Sequence, residues 1–115
     1  MKQQPPTWDI VFYQDHRGRN PVLEFINKLP VIEQARTYNA LRLLREFGTS
    51  LGMPHARHIH GKLWELRPGG VRLFYFTYTG KSFVVLHGYH KKTDKAPERE
   101  LAIAMRRMHE LLEDE

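Results

Sequence analysis

The chain has 115 residues, 41% of them hydrophobic, which is enough for one compact core and too short for two ordinary domains. With 18 Lys+Arg against 13 Asp+Glu the formal net charge is +5, a balance that favours nucleic acid or an acidic protein as partner. Cysteine is absent, which excludes disulfide staples, thiol nucleophiles and thiolate metal sites and fits a reducing compartment.

The N-terminus, MKQQPPTWDI, lacks the apolar core of a signal peptide, and no run approaches the length of a bilayer span, so a soluble, cytoplasmic protein is expected. Residues 8 to 14, rich in aromatic and branched side chains after Pro5-Pro6, predict a first strand, followed by the turn-like Asp-His-Arg-Gly-Arg-Asn. Asn20 suits an N-cap and Pro21 the first helical position; Val22, Phe25, Ile26 and Leu29 then form one apolar stripe, a short helix ending near Pro30. A second helix starts at Pro30, with Ile32, Ala35, Leu41, Leu44 and Phe47 as buried candidates and Gly48 as a left-handed C-terminal cap. The two helices form a hairpin.

Residues 48 to 61 show no clear periodicity and read as a loop. Lys62 to Arg67, Val71 to Tyr78 and Ser82 to His90, separated by Pro68-Gly69-Gly70 and Thr79-Gly80, describe a three-stranded antiparallel meander. Pro97 opens a last helix whose apolar face is Leu101, Ala104, Met105, Met108 and Leu112, with Glu98 and Glu100 in the first turn. The order β-α-α-β-β-β-α defines one α+β domain over residues 1–115.

Alternation along the strands places Arg72 on a face with Phe74, Phe76 and Tyr78, near the Pro-Gly-Gly turn. Arg67 ends the preceding strand across that turn, so a phosphate can bridge two planar guanidinium forks. The alternative is that one of them pairs with Glu65 and the other is solvated. On the last strand the same rule groups Val84, Leu86, Gly88 and His90 on one face and Phe83, Val85, His87 and Tyr89 on the other; Lys91, Lys92 and Lys95 follow at the strand exit. Metal-free RNA cleavage needs a base for the 2′-hydroxyl, cations for the phosphate and an acid for the leaving oxygen, and His, Lys, Tyr and Arg can supply all three. His55, His58 and His60 lack any zinc-binding pattern, and no phosphate-binding Gly-rich loop is present, so neither metal nor nucleotide cofactor is expected.

Taken together, Leu63-Trp64-Glu65-Leu66-Arg67, then Arg72-Leu73-Phe74-Tyr75, then His87-Gly88-Tyr89-His90-Lys91-Lys92-Thr93-Asp94-Lys95-Ala96-Pro97, resembles the RelE/ParE superfamily of toxin-antitoxin toxins, nearest the phage-derived HigB-like branch. The resemblance implies a RelE-like fold, a curved antiparallel sheet carrying an N-terminal helical hairpin and a C-terminal helix. It implies a ribosome-dependent messenger-RNA endonuclease with no cofactor, held in check by a cognate antitoxin of the helix-turn-helix, HigA-like kind that alone contacts operator DNA. Arg72 then matches the Arg that steadies the scissile phosphate, Lys91 and Lys92 the basic positions after the last strand, and His90 or Tyr89 the acid-base candidates. Arg67 matches a recurrent basic position, with Lys62 and Lys95 as further RNA contacts. Relatives carry extra Lys where this chain has Leu63 and Glu65, and many carry a late Tyr that is missing after Pro97, which implies an altered or distributed acid-base arrangement. Two other readings remain: a gyrase inhibitor on the same fold, and a non-catalytic basic module that binds nucleic acid or protein.

Overall fold

A computed structural model describes residues 8–113; the Pro5-Pro6 pair lies outside them. The elements are β1 (Asp9–Phe12), α1 (Pro21–Asn27), α2 (Val31–Phe47), a 3-10 turn (Gly48–Ser50), β2 (Ala56–His60), β3 (Leu63–Leu66), β4 (Val71–Thr77), β5 (Ser82–His90) and α3 (Glu98–Glu113). The result is a small α+β domain: a five-stranded mixed sheet, in the order β1-β5-β4-β3-β2, flanked by three helices.

The local signals for the helices hold. Asn20 caps α1 by accepting a hydrogen bond from the Leu23 amide at 3.1 Å, with Pro21 in the first turn. Gly48 ends α2 with a positive φ of +56° but ψ −134°, outside the left-handed helical region expected of the cap, and a Cβ there would lie 2.1 Å from the Trp8 ring, so backbone and packing still demand glycine. The buried stripe of α2 is Thr37, Ala40, Leu41 and Leu44, whereas Ile32, Ala35 and Phe47 of the expected stripe face solvent. Ile32 and Ala35 lie around the helix from the buried stripe, and Phe47 is the last residue of α2.

The meander β3-β4-β5 is antiparallel as expected, but two features differ from the sequence reading. β1 pairs parallel to β5, from Asp9 with Ser82 to Phe12 with Val85, so the sheet is mixed rather than antiparallel. Side-chain composition selects a strand without fixing its direction; here the helical hairpin carries the chain across a face of the sheet to its opposite edge. There the 48–61 stretch contributes β2, paired antiparallel with β3, and the order becomes β-α-α-β-β-β-β-α. β2 is an edge strand reading Ala-Arg-His-Ile-His, and its half-solvated position leaves little apolar alternation to detect.

The sheet separates two apolar clusters. Val71, Leu73, Tyr75, Phe83 and Val85 pack against Val22, Ile26, Leu41 and Leu44 of the helical hairpin. Phe74, Phe76, Val84, Leu86 and Tyr89 pack against Ala104 and Met108 of α3, the predicted apolar face of that helix. Each fully buried side chain of this size contributes roughly 1.5–3 kcal/mol, and Phe74, Phe76 and Phe83 are among the largest.

A bulge in β5 sets the geometry of the site. Phe74 pairs with His87 and Tyr75 with Val85, leaving Leu86 as the extra residue. The alternation therefore breaks at Leu86-His87. Val84 and Leu86 face α3, but Gly88 and His90 face the helical hairpin, where Phe25 contacts both. The expected single face of Val84, Leu86, Gly88 and His90 is thus split between the two sides of the sheet.

Candidate nucleic-acid interface

Beyond the bulge, Tyr89 falls opposite Arg72 on the α3 side of the sheet, and Glu65 lies on the next strand over, opposite Phe74. β2 adds Arg57, directly opposite Glu65. The Glu65 side chain is only 1% exposed, and its Oε1 lies 3.3 Å from Arg57 Nη2, 3.6 Å from Arg67 Nε and 3.9 Å from Arg72 Nε. None of these is a directed hydrogen bond: Glu65 Oε1, Arg57 Nε and Arg67 Nε are buried without a hydrogen-bond partner among the described residues.

Arg72 is braced through a different nitrogen, its Nη1 donating to Gly69 O at 2.7 Å and Val71 O at 2.9 Å, which fixes the guanidinium over the Pro-Gly-Gly turn. Burial lowers its pKa, and neighbouring Arg67 adds to the shift, against the opposing pull of Glu65. Arg67 Nη1 lies 3.1 Å from Met53 Sδ. Rather than one pairing with Glu65 and the other standing in solvent, Arg67 and Arg72 both reach the same carboxylate, and a third arginine joins them.

Tyr89 packs at a tilt against Phe74 at 5.5 Å and stacks on His87 at 6.2 Å between ring centroids, and its hydroxyl points toward Glu65 Oε2 at 3.5 Å. Burial, and then the Glu65 charge, push its pKa up to about 12, so it is a phenol that can donate a proton rather than a phenolate that can take one. His87 is committed elsewhere. Its Nε2 is 2.6 Å from Glu100 Oε1 on α3 and its Nδ1 3.4 Å from Arg107 Nη1; burial lowers its pKa despite the carboxylate.

The remaining expected residues divide. His90 lies on the opposite side of the sheet from Arg72 and Tyr89, its Nε2 3.1 Å from Glu33 Oε1 and its ring edge-on to Phe25, so the structure separates it from the arginines. Lys91 is tied to the turn by its amide, which donates to Gly70 O at 2.9 Å, and its ammonium is 3.6 Å from Asp94. Lys92 is exposed, and Lys95 lines an open groove of about 510 Å³ with Arg57, His58, Ile59, Asp94, Ala96 and Leu101. Lys62 sits in the β2–β3 turn, at the other end of β3 from Arg67. His58 turns to Gly61 O at 2.7 Å and packs on Trp64, and no group of three or more metal-ligating side chains is found among the described residues. No helix among them is long and apolar enough to cross a membrane.

The sequence alone does not single out Arg57, and marks Glu65 only as a possible partner of Arg67 or Arg72. The available signal was the alternation in Ala56-Arg57-His58-Ile59-His60, which places Arg57 and Ile59 on one face once the stretch is read as a strand. What the fold and this face define is a small basic α+β protein that gathers three guanidiniums and a phenol at one side of its sheet. The chain belongs to the family described as phage derived protein Gp49-like (DUF891), whose model matches residues 24–109, a span that holds the whole arginine cluster and leaves out β1. Among curated proteins nothing matches the chain.

Proposed function

We propose that this protein is the toxin of a type II toxin-antitoxin system, a ribosome-dependent messenger-RNA endonuclease of the RelE/HigB-like kind that blocks translation. The observation that carries the reading is the convergence of Arg57, Arg67 and Arg72 beside the protonated Tyr89, with Arg57 also lining the groove that holds Lys95. The resemblance of the ELR, Arg72 and HGYHKKTDKAP motifs to that superfamily points the same way. In this reading the 2′-hydroxyl gives its proton to water and its oxygen bonds to the adjacent phosphorus as the bond to the 5′-oxygen breaks, leaving a 2′,3′-cyclic phosphate and a 5′-hydroxyl. Arg72, held by two backbone carbonyls, meets the charge that builds on the equatorial oxygens; Tyr89 hands its proton to the departing oxygen. Arg67 and Arg57, with Lys91, Lys92 and Lys95 around the rim, hold the neighbouring phosphates. A helix-turn-helix antitoxin would be the controlling partner, the ribosome and message the target, and the cytoplasm the compartment.

Primer extension on a defined message in a purified translation reaction tests this, comparing wild type with Arg72→Ala and Arg57→Gln, with and without ribosomes. Arg72 also braces a turn, so melting curves accompany both variants. Ribosome-dependent cuts that weaken in both folded variants are the expected result. An uncut message with translation unaffected overturns the reading in favour of a gyrase-directed or purely binding role.

A further inference from the structure

We infer that Glu65 is a positioning residue: its buried carboxylate gathers Arg57, Arg67 and Arg72 into one preformed receptor for a phosphodiester while its Oε1 takes no directed hydrogen bond from any of them. This rests on the endonuclease reading for its substrate, and on the geometry for everything else. Three guanidiniums within 3.9 Å of one oxygen repel one another, and without an anion among them the two at the rim, Arg57 and Arg67, would swing into solvent. A carboxylate that is 1% exposed is costly to bury and is retained here with three cations around a single oxygen. Its contacts are unusual in kind. A bidentate pair would occupy each fork, whereas Oε1 makes none of the directed hydrogen bonds that would do so, and Arg57 Nε and Arg67 Nε are likewise unpartnered. Glu65 therefore supplies charge without consuming donors.

The strand geometry explains why one residue can do this. Glu65 lies on β3 between β2, which brings Arg57 opposite it, and β4, whose start carries Arg72; Arg67 follows two residues later on the same face. A phosphate approaching from the groove side would meet an excess of two positive charges already fixed in place, so little reorganisation is left for the transition state.

The distinguishing consequence is a split between binding and turnover. Glu65→Gln keeps the shape of the side chain and raises the local charge by one, so a short single-stranded RNA with a 2′-deoxy residue at the cut position should bind more tightly than to wild type. Cleavage on the ribosome should fall roughly 10- to 100-fold in kcat, because misplacing a catalytic group by about 1 Å costs that much. Glu65→Asp, a carboxylate drawn back by one methylene, should recover part of kcat. A merely structural role predicts instead that kcat and RNA affinity fall together with the folded fraction, and that result overturns the inference, as does Glu65→Gln cutting at the wild-type rate. If Glu65→Gln does not fold, Glu65→Asp carries the test: wild-type kcat overturns it, and reduced kcat with unchanged affinity supports it. If the wild type itself cuts nothing, the endonuclease reading fails separately, and the binding comparison still decides: weaker or unchanged RNA binding by folded Glu65→Gln sinks the receptor, tighter binding upholds it.

Discussion

Tyr89 and His87 are neighbours on one strand whose environments assign them opposite work. With its pKa pushed up to about 12, Tyr89 stays protonated at neutral and mildly alkaline pH, so in the proposed reaction it is an acid with no titration of its own near neutrality. Tyr89→Phe should then lower cleavage by about 100-fold, the lower end of what a positioned acid contributes, without moving either limb of the pH–rate profile between about pH 6 and pH 9. A shifted limb in single-turnover assays would deny Tyr89 that role. His87 instead reports on stability. Its pKa is depressed, first by burial and then by Arg107, against the Glu100 hydrogen bond, so the folded state holds it neutral while the unfolded chain takes up a proton near the usual histidine value. Its contribution is present above about pH 6.5 and is lost as the pH falls through the folded pKa. Thermal melts should therefore drop more steeply from about pH 7 to pH 5 in wild type than in His87→Gln, and parallel pH profiles would exclude His87 as the source.

At the scale of the elements, the bulge at Leu86 determines which side chains share a face. It sends Tyr89 to the arginines and turns Gly88 into the helical hairpin, where an added Cβ would lie 2.7 Å from Phe25 Cδ2 and 2.8 Å from Leu73 Cδ2. Gly88→Ala should cost about 1–3 kcal/mol in urea denaturation, the usual range for overpacking. Gly70→Ala, where nothing lies within 4 Å, should stay within about 0.5 kcal/mol. Equal stabilities for the two would mean that the packing of β5 on α1 tolerates a shift. The bulge also shows what the sequence could and could not disclose. The capping of α1, the turn between β3 and β4, the apolar face of α3 and the Arg72-Phe74-Phe76 side of β4 are local patterns, written in consecutive residues. The bulge arises only when β5 is laid against β4, so a strict two-residue period carried His90 to the wrong company. β2 escaped because its half-buried side is carried by Arg57 and a single Ile, too little apolar alternation to advertise a strand, and with it went Arg57. The direction of β1 depends on where the helical hairpin deposits the chain, which no strand residue encodes.

For the molecule as a whole, the surplus of positive charge matters less than its distribution. Three guanidiniums share one carboxylate on the α3 side, with Lys91, Lys92 and Lys95 at the adjoining strand exit, while Lys81 sits at the other end of β5 over the Trp8 ring at 5.9 Å. If the arginine face takes the sugar-phosphate backbone, binding of a short RNA should weaken with salt, the logarithm of affinity falling by about 0.7 per phosphate engaged for each tenfold rise in salt. Arg57→Gln, at the rim and 36% exposed, removes one such contact with limited damage to the core, and should flatten that slope by about 0.7. Lys81→Gln removes the same unit of charge from the whole protein and should leave the slope unchanged, because screening over the length of β5 isolates it from the site. Fluorescence anisotropy of a labelled oligonucleotide between about 50 and 200 mM salt separates the two. Equal flattening in both variants would mean that RNA senses only the net charge of the protein; an effect confined to Arg57→Gln would mean that it is read by one built face.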